Sequence, residues 1–128
     1  MKSKAIELYL PMLPPSANMI WRRNPNSNKP FFSLAYKKFK DLVKLKCLTV
    51  RAPKEWKFYS VEIVVHPKKR VGDVDNRIKP TLDALTQAGF WDDDKRVATV
   101  SARFGRIDKE GSVLVVVREC LEKFPESD

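Results

Sequence analysis

Five consecutive aliphatic residues near the end of the chain, Val113–Val117, constrain the fold more than any other feature. A strand that is apolar on both faces has to be covered on both sides, which favours a place inside a sheet over a place at its edge. The run is also far shorter than the ~20 apolar residues that a membrane-spanning helix needs. The segment Ser112–Leu121 is therefore predicted to be a central strand of a sheet.

Hydrophobic periodicity divides the rest of the chain into two helices and three further strands. Alternating apolar residues predict strands, at residues 5–10, 57–66 and 97–104. Apolar residues spaced three and four apart predict helices, at residues 34–50 and 76–88. Ser33 is the expected N-cap of the first helix, and Gly89 is expected to end the second. The order β-α-β-α-β-β predicts an α+β fold, a mixed β-sheet of about four strands with two main helices, in a single domain covering residues 1–128.

Three other segments carry turn signals. Lys109-Glu-Gly111 predicts a hairpin turn between the last two strands. Pro80 fits only the first turn of a helix, so the second helix either begins later, near Lys79, or has an irregular first turn. Residues 11–32 are rich in Pro and Asn and predict a long ordered loop. Its aromatic side chains are expected to anchor it to the core, with base stacking as the alternative, and they are Trp21, Phe31 and Phe32.

The basic residues are numerous and clustered. Lys and Arg number 25 against 16 Asp and Glu, which gives a formal net charge of +9. Clusters of this kind favour a phosphate backbone as partner over a membrane surface, because the basic first helix also has an apolar face suited to a core. The residues expected to contact DNA are Arg22, Arg23, Lys37, Lys68, Lys69, Arg70, Asn76 and Arg77.

Two features favour a cytoplasmic protein without a membrane anchor. The basic segment Met1–Lys4 is not followed by the hydrophobic core of an export signal. Cys47 and Cys120 stand far apart in apolar surroundings and are expected to be reduced core residues.

Acidic residues are concentrated in one segment of this basic chain. Six of the nine aspartates lie between Asp73 and Asp94. Asp73 and Asp75 would point to the same side of an extended segment. The second helix would then return the chain at Asp92–Asp94 and bring a third carboxylate beside them. Carboxylate oxygens suit a hard cation such as Mg²⁺, which activates water and offsets charge on a phosphate.

Each of these residues also has an ordinary structural interpretation. Asp75 would serve as an N-cap, Asp73 as a turn former, and Asp92–Asp94 as a solvated loop. A calcium loop of the EF-hand type is excluded, because Arg77 and Ile78 stand where an oxygen ligand and a glycine are required. Lys79, four residues after Asp75, is placed to touch the phosphate or the attacking water. The single histidine, His66, ends a strand and is expected to be structural.

The acidic segment resembles the signature of a known family. The residues that carry the resemblance are Asp73-Val-Asp75-Asn76, Lys79, Asp83-Ala-Leu85, Gly89-Phe-Trp and Asp93-Asp94, with Pro14-Pro-Ser-Ala-Asn18 nearer the N-terminus. Together they are similar to the RusA Holliday junction resolvases. The match is densest over residues 72–97 and extends by length and element order to the whole chain.

The resemblance implies a site and an activity. It implies that Asp73, Asp75 and Asp94 are catalytic and hold Mg²⁺, with Mn²⁺ as a substitute ion, and that Lys79 assists. Asp92 stands where an apolar residue is expected, so Asp93 is the alternative third ligand. The family's members are homodimers, mostly of phages and prophages, which cut opposed strands of four-way DNA junctions. The expected function is thus a metal-dependent endodeoxyribonuclease of recombination and repair. The rivals are a non-catalytic DNA-binding protein and a metal nuclease for other branched DNA.

Overall fold

A computed structural model describes residues 5–16, 21–23, 30–70 and 72–124, and of residues 21–23 and 30–32 it describes the backbone only. Its elements in chain order are β1 (Ile6–Leu10), β2 (Trp21–Arg23), β3 (Pro30–Phe32), α1 (Leu34–Lys46), β4 (Phe58–His66), α2 (Ile78–Gln87), β5 (Val97–Phe104) and β6 (Ser112–Cys120). Two short 3₁₀ helices, Val74–Arg77 and Asp94–Arg96, precede α2 and β5. The predicted α+β fold is confirmed.

The sheet is mixed and has the strand order β1-β6-β4-β5. The strand β6 lies between β1 and β4 and is antiparallel to both. Its residues Val113, Val115, Val116 and Val117 are all buried, which confirms its prediction as a central strand. On β4 the residues of one face are buried as predicted, and they are Tyr59, Val61, Ile63 and Val65.

The predicted hairpin between the last two strands is wrong. β5 pairs in parallel with β4, and β6 pairs with the other side of β4. A parallel pair needs a crossover connection, and α2 supplies it between β4 and β5. The chain after β5 is bound to the end of β4, since Gly105 N–H donates to the Val65 carbonyl (2.8 Å) and Asp108 N–H to the Pro67 carbonyl (2.9 Å). It therefore passes across β4 before β6 begins.

The two helices pack against each other and on the sheet, and their ends follow local chemistry. Ser33 caps α1 by accepting from Tyr36 N–H (3.2 Å), but α1 ends at Lys46, four residues earlier than predicted. The 3₁₀ helix Val74–Arg77 precedes α2, so Pro80 is the third residue of α2 and falls in its first turn, where proline is tolerated. Gly89 follows α2 with a φ of +78°, as the predicted ending requires.

Other sequence predictions have mixed outcomes. Residues 11–32 contain the antiparallel pair β2 and β3 in addition to loop, while the side chains of Trp21, Phe31 and Phe32 lie outside the described residues. Both cysteines are free; Cys47 is buried, but Cys120 is only partly buried at the end of β6. Within the described ranges, no helix is long and apolar enough to cross a bilayer.

Candidate active site

Asp73 and Asp75 stand where the chain enters α2. Asp73 is extended (φ −108°, ψ 131°), whereas Asp75 belongs to the 3₁₀ helix. The extended conformation that would align both carboxylates therefore holds at Asp73 only, because a 3₁₀ helix turns once in three residues. Neither side chain caps this helix, and both are exposed. The capping role considered for Asp75 is thus absent.

The three aspartates after α2 have different partners. The Asp92 carboxylate accepts from the Arg96 guanidinium (2.9 Å), and this hydrogen bond lowers the pKa of Asp92. The Asp93 carboxylate accepts from Lys95 N–H (2.8 Å) and caps the short helix. Asp94 is exposed and has no side-chain hydrogen bond or ion pair to any other described residue. Asp94 is therefore the carboxylate of this turn whose oxygens remain available to a ligand.

Arg96, which the sequence analysis missed, holds the acidic turn against the start of β4. Its guanidinium donates to the carbonyls of Lys54 (2.9 Å), Lys57 (3.2 Å) and Trp56. It also lies over the Tyr59 ring, with 4.9 Å from Cζ to the ring centroid. An arginine two residues after three aspartates reads as a surface charge, and only the fold reveals the carbonyls that it meets.

The Gly-Phe-Trp segment fixes the other end of this turn. Phe90 and Trp91 are buried, and Trp91 stacks on Tyr59 with ring centroids 5.6 Å apart. The Trp91 indole N–H donates to the Thr86 hydroxyl at 2.7 Å. The apolar half of the motif therefore anchors the loop in the core, while the acidic half faces solvent.

Both acidic segments adjoin α2 and the edge strand β5. The 3₁₀ helix that contains Asp75 contacts the edge strand β5, and the turn that contains Asp94 contacts α2. Among the residues that the structure describes, no three Asp, Glu, His or Cys side chains are grouped closely enough to hold a metal ion. Within the described residues of one chain, the carboxylates are therefore not gathered around one point.

The donor set nevertheless suits a hard divalent cation. Asp73, Asp75 and Asp94 offer exposed oxygens that no described residue neutralises, and Mg²⁺ binds carboxylate oxygens while keeping several waters. Lys79 lies on α2, where its ammonium is 3.2 Å from the Asp83 carboxylate and its side chain is 73% exposed. Such an exposed pair is weak, so the lysine is able to reach another anion.

The predicted DNA contacts divide into exposed and engaged residues. Lys37, Lys68, Lys69 and Arg70 are exposed. Arg77 is partly buried, which lowers its pKa, and its guanidinium donates to the Pro14 carbonyl. This bond links the Pro14-Pro15 segment to the 3₁₀ helix that contains Asp75. Asn76 is partly buried. The side chains of Arg22 and Arg23 lie outside the described residues.

A family model matches most of the chain. Residues 11–118 match the model of the RusA endodeoxyribonucleases. This range contains both acidic segments, Lys79 and every described strand and helix except β1 and the last residues of β6. A search among curated proteins found no match. The matched range covers most of the chain, and the chain therefore belongs to the RusA family of endodeoxyribonucleases.

Proposed function

We propose that this protein is a Mg²⁺-dependent endodeoxyribonuclease that resolves four-way DNA junctions by paired phosphodiester hydrolysis in recombination and repair. The observation that carries the proposal is the exposure of Asp73, Asp75 and Asp94 without a described partner, in a chain of net charge +9. Exposed carboxylates without a described partner, in a basic protein, would suit a divalent cation that offsets the negative charge of a phosphate. Family membership supports the cleavage of DNA.

Asp73, Asp75 and Asp94 would hold the metal ion, and Mn²⁺ would substitute for Mg²⁺. Asp93 is the weaker choice for third ligand, since its carboxylate already caps the Asp94–Arg96 helix. When bound, the ion supplies an activated water and offsets charge on the phosphate. Lys79 leaves Asp83 and donates to a phosphate oxygen, which stabilises the negative charge that develops there.

The exposed basic residues hold the DNA backbone and leave its sequence unread. The basic residues after β4 are Lys68, Lys69 and Arg70, and they lie shortly before Asp73 in the chain. They would hold the phosphates of one DNA strand next to Asp73. Lys37 adds charge from the exposed side of α1. Arg77 would act chiefly by fixing the turn, through its bond to the Pro14 carbonyl, and Asn76 remains a proposed DNA contact. Arg22 and Arg23 remain proposed contacts.

A single domain of this size would cut two strands as a homodimer. A two-fold axis places two copies of the same site on one junction, which itself has opposed strands.

The free Cys47 and Cys120 are consistent with the reducing cytoplasm, and a prophage origin is typical of such enzymes.

The experiment is a cleavage assay with Asp75→Asn on a synthetic four-way junction, with and without Mg²⁺. The variant is expected to lose cleavage and to keep or tighten junction binding, because a negative charge near the phosphate is removed. Asp41→Asn, which changes an exposed aspartate on α1, is the matched control and should cut normally. Full cleavage by Asp75→Asn in Mg²⁺ would remove the metal site from the proposal.

The substrate is tested separately with a panel of flaps, forks, single strands and junctions. Preferential cutting of the junction supports resolution. Preferential cutting of another substrate assigns the protein to other branched DNA, and binding without any cutting makes it a non-catalytic DNA-binding protein.

A further inference from the structure

A pocket of about 590 Å³ opens next to Asp73, between the loop after β4 and the end of β5. One wall is formed by Pro67, Arg70 and Gly72, and the opposite wall by Phe104, Arg106 and Ile107. Gly72 immediately precedes Asp73. The pocket therefore adjoins the first carboxylate of the candidate metal site.

Hydrogen bonds hold the two walls together. In addition to the two backbone bonds from Gly105 and Asp108 to the end of β4, His66 Nδ1 donates to the Arg106 carbonyl at 2.9 Å. The chain passes so close here that a Cβ on Gly105 would lie 2.7 Å from His66 Nδ1. The single histidine thus has a structural role, and the pocket is largely formed before any ligand arrives.

The walls combine an apolar floor with positive charge. Phe104 and Ile107 are 42% and 46% exposed, so part of their apolar surface is open to a ligand. Phe104 pairs with the buried Val65, on the face of the sheet that the helices cover, but stays open because β5 is the edge strand. Arg70 and Arg106 form no ion pair with a described residue, and no carboxylate lines the pocket.

An exposed aromatic ring in a pocket that two unpaired arginines also line suits a flat, anionic ligand. From this geometry we infer that the pocket binds an unpaired nucleobase of the DNA, which stacks on Phe104 while Arg70 and Arg106 hold the flanking phosphates. A base within a duplex has both faces covered and cannot stack in this way, whereas an unpaired base has a free face. This inference rests on the proposed function and gives it a way to select branched DNA.

The test compares two four-way junctions that differ at one position. The first carries an extra unpaired adenine at the branch point, and the second carries an abasic residue there. Binding is measured by fluorescence anisotropy in EDTA, so that no cleavage occurs. Phe104→Ala is expected to weaken binding of the first junction by about fivefold to a hundredfold, the range that base–aromatic stacking supplies, and to leave the second within about twofold.

Val100→Ala is the matched control. Val100 lies on the same strand and face and is 40% exposed, but it does not line the pocket, so binding of both junctions should stay unchanged. Phe104→Trp keeps an aromatic face and should retain the preference for adenine, which guards against a folding defect in Phe104→Ala. Equal losses on both junctions with Phe104→Ala, or no loss on either, would overturn the inference.

The same measurements separate this inference from the proposed function. If the wild-type protein binds the junctions and Phe104→Ala binds them equally well, the base pocket is refuted and the nuclease proposal stands. If the wild-type protein binds neither junction, both proposals are refuted. Arg106→Ala should lower the slope of log affinity against log salt by about 0.9 on both junctions, as expected for one lost phosphate contact; an unchanged slope would remove Arg106 from the site.

Discussion

At the residue scale, Asp92, Asp93 and Asp94 have the same chemistry in the sequence and different surroundings in the fold. Arg96 binds the first, a backbone N–H binds the second, and the third has no described partner. A carboxylate that already accepts a structural hydrogen bond keeps lone pairs for a metal ion but is less free to turn toward it. Asp94, which has no such bond, is for that reason the proposed third ligand.

Replacing these aspartates one at a time distinguishes their roles. Asp94→Asn should reduce junction cleavage by about 100-fold or more, because even an outer-shell partner of a metal is worth ~10–100-fold. Asp92→Asn should keep most of the cleavage rate and lower the melting temperature slightly, since it weakens the bond to Arg96. Cleavage rates and thermal melts of both variants are the measurements. Loss of cleavage in Asp92→Asn with normal activity in Asp94→Asn would reverse the assignment.

The two free thiols should differ in reactivity. Burial raises the pKa of Cys47 to about 11, and nearby Arg51 opposes this only weakly. At pH 8 the Cys47 thiol is then mostly protonated, and the thiolate is the reactive form. Folding raises the pKa of Cys47 from its ordinary value near 9 to about 11. The contribution of this thiol to the free energy of unfolding is therefore fully present below pH 9 and is lost as the pH rises through about 11. Iodoacetamide followed by mass spectrometry should label Cys120 first and Cys47 only after denaturation; equal labelling of the folded protein would contradict this.

At the element scale, local pattern predicted most of the fold and failed on one pairing. Periodicity located β4, β5, β6 and both helices, because each element buries one face at its own repeat. It misassigned the neighbour of β5, since Lys109–Gly111 has turn chemistry whichever strand lies next to it. The pairing is decided by long-range contacts, in which α2 crosses from β4 to β5 and the end of β4 binds the following loop.

The same limit applies to the site. Spacing and acidity indicated Asp73, Asp75 and Asp94, but the role of Arg96 depends on carbonyls about 40 residues away in sequence. The sequence predicts Phe104 only as the last residue of a strand and assigns no role to Ile107. Their exposure follows from the edge position of β5, which sequence periodicity does not report.

Arg96, in the turn after α2, should stabilise the protein more than an ordinary surface arginine does. Arg96→Ala removes several hydrogen bonds to carbonyls and one to Asp92, and it should lower the free energy of unfolding by about 2–3 kcal/mol. Arg103→Ala is the control, because Arg103 is 63% exposed and forms a single 3.5 Å ion pair with Glu62, which is worth less than about 1 kcal/mol. Urea unfolding of both variants measures the difference, and equal losses would refute the anchoring role.

At the scale of the whole molecule, charge and topology act together. The net charge of +9 favours binding of any polyanion. The fold determines which basic residues lie next to Asp73. Lys68, Lys69 and Arg70 are the last described residues before Gly72 and Asp73, so backbone binding and the candidate metal site occupy one continuous stretch of chain. The proposed backbone contacts therefore lie next to the first carboxylate of the candidate metal site along the chain.

Salt dependence of junction binding tests this arrangement. If Lys68 and Lys69 each neutralise one phosphate, Lys68→Ala/Lys69→Ala should reduce the slope of log affinity against log salt by about 1.8, because each contact contributes about 0.9. The control Arg103→Ala/Arg118→Ala removes the same charge from residues that pair with Glu62 on the other face of the sheet, and its slope should stay close to that of the wild type. Anisotropy titrations between about 50 and 200 mM salt measure all three slopes. Equal reductions in the two double variants would mean that binding responds to net charge alone, and the loop after β4 would then lose its place in the DNA-binding surface.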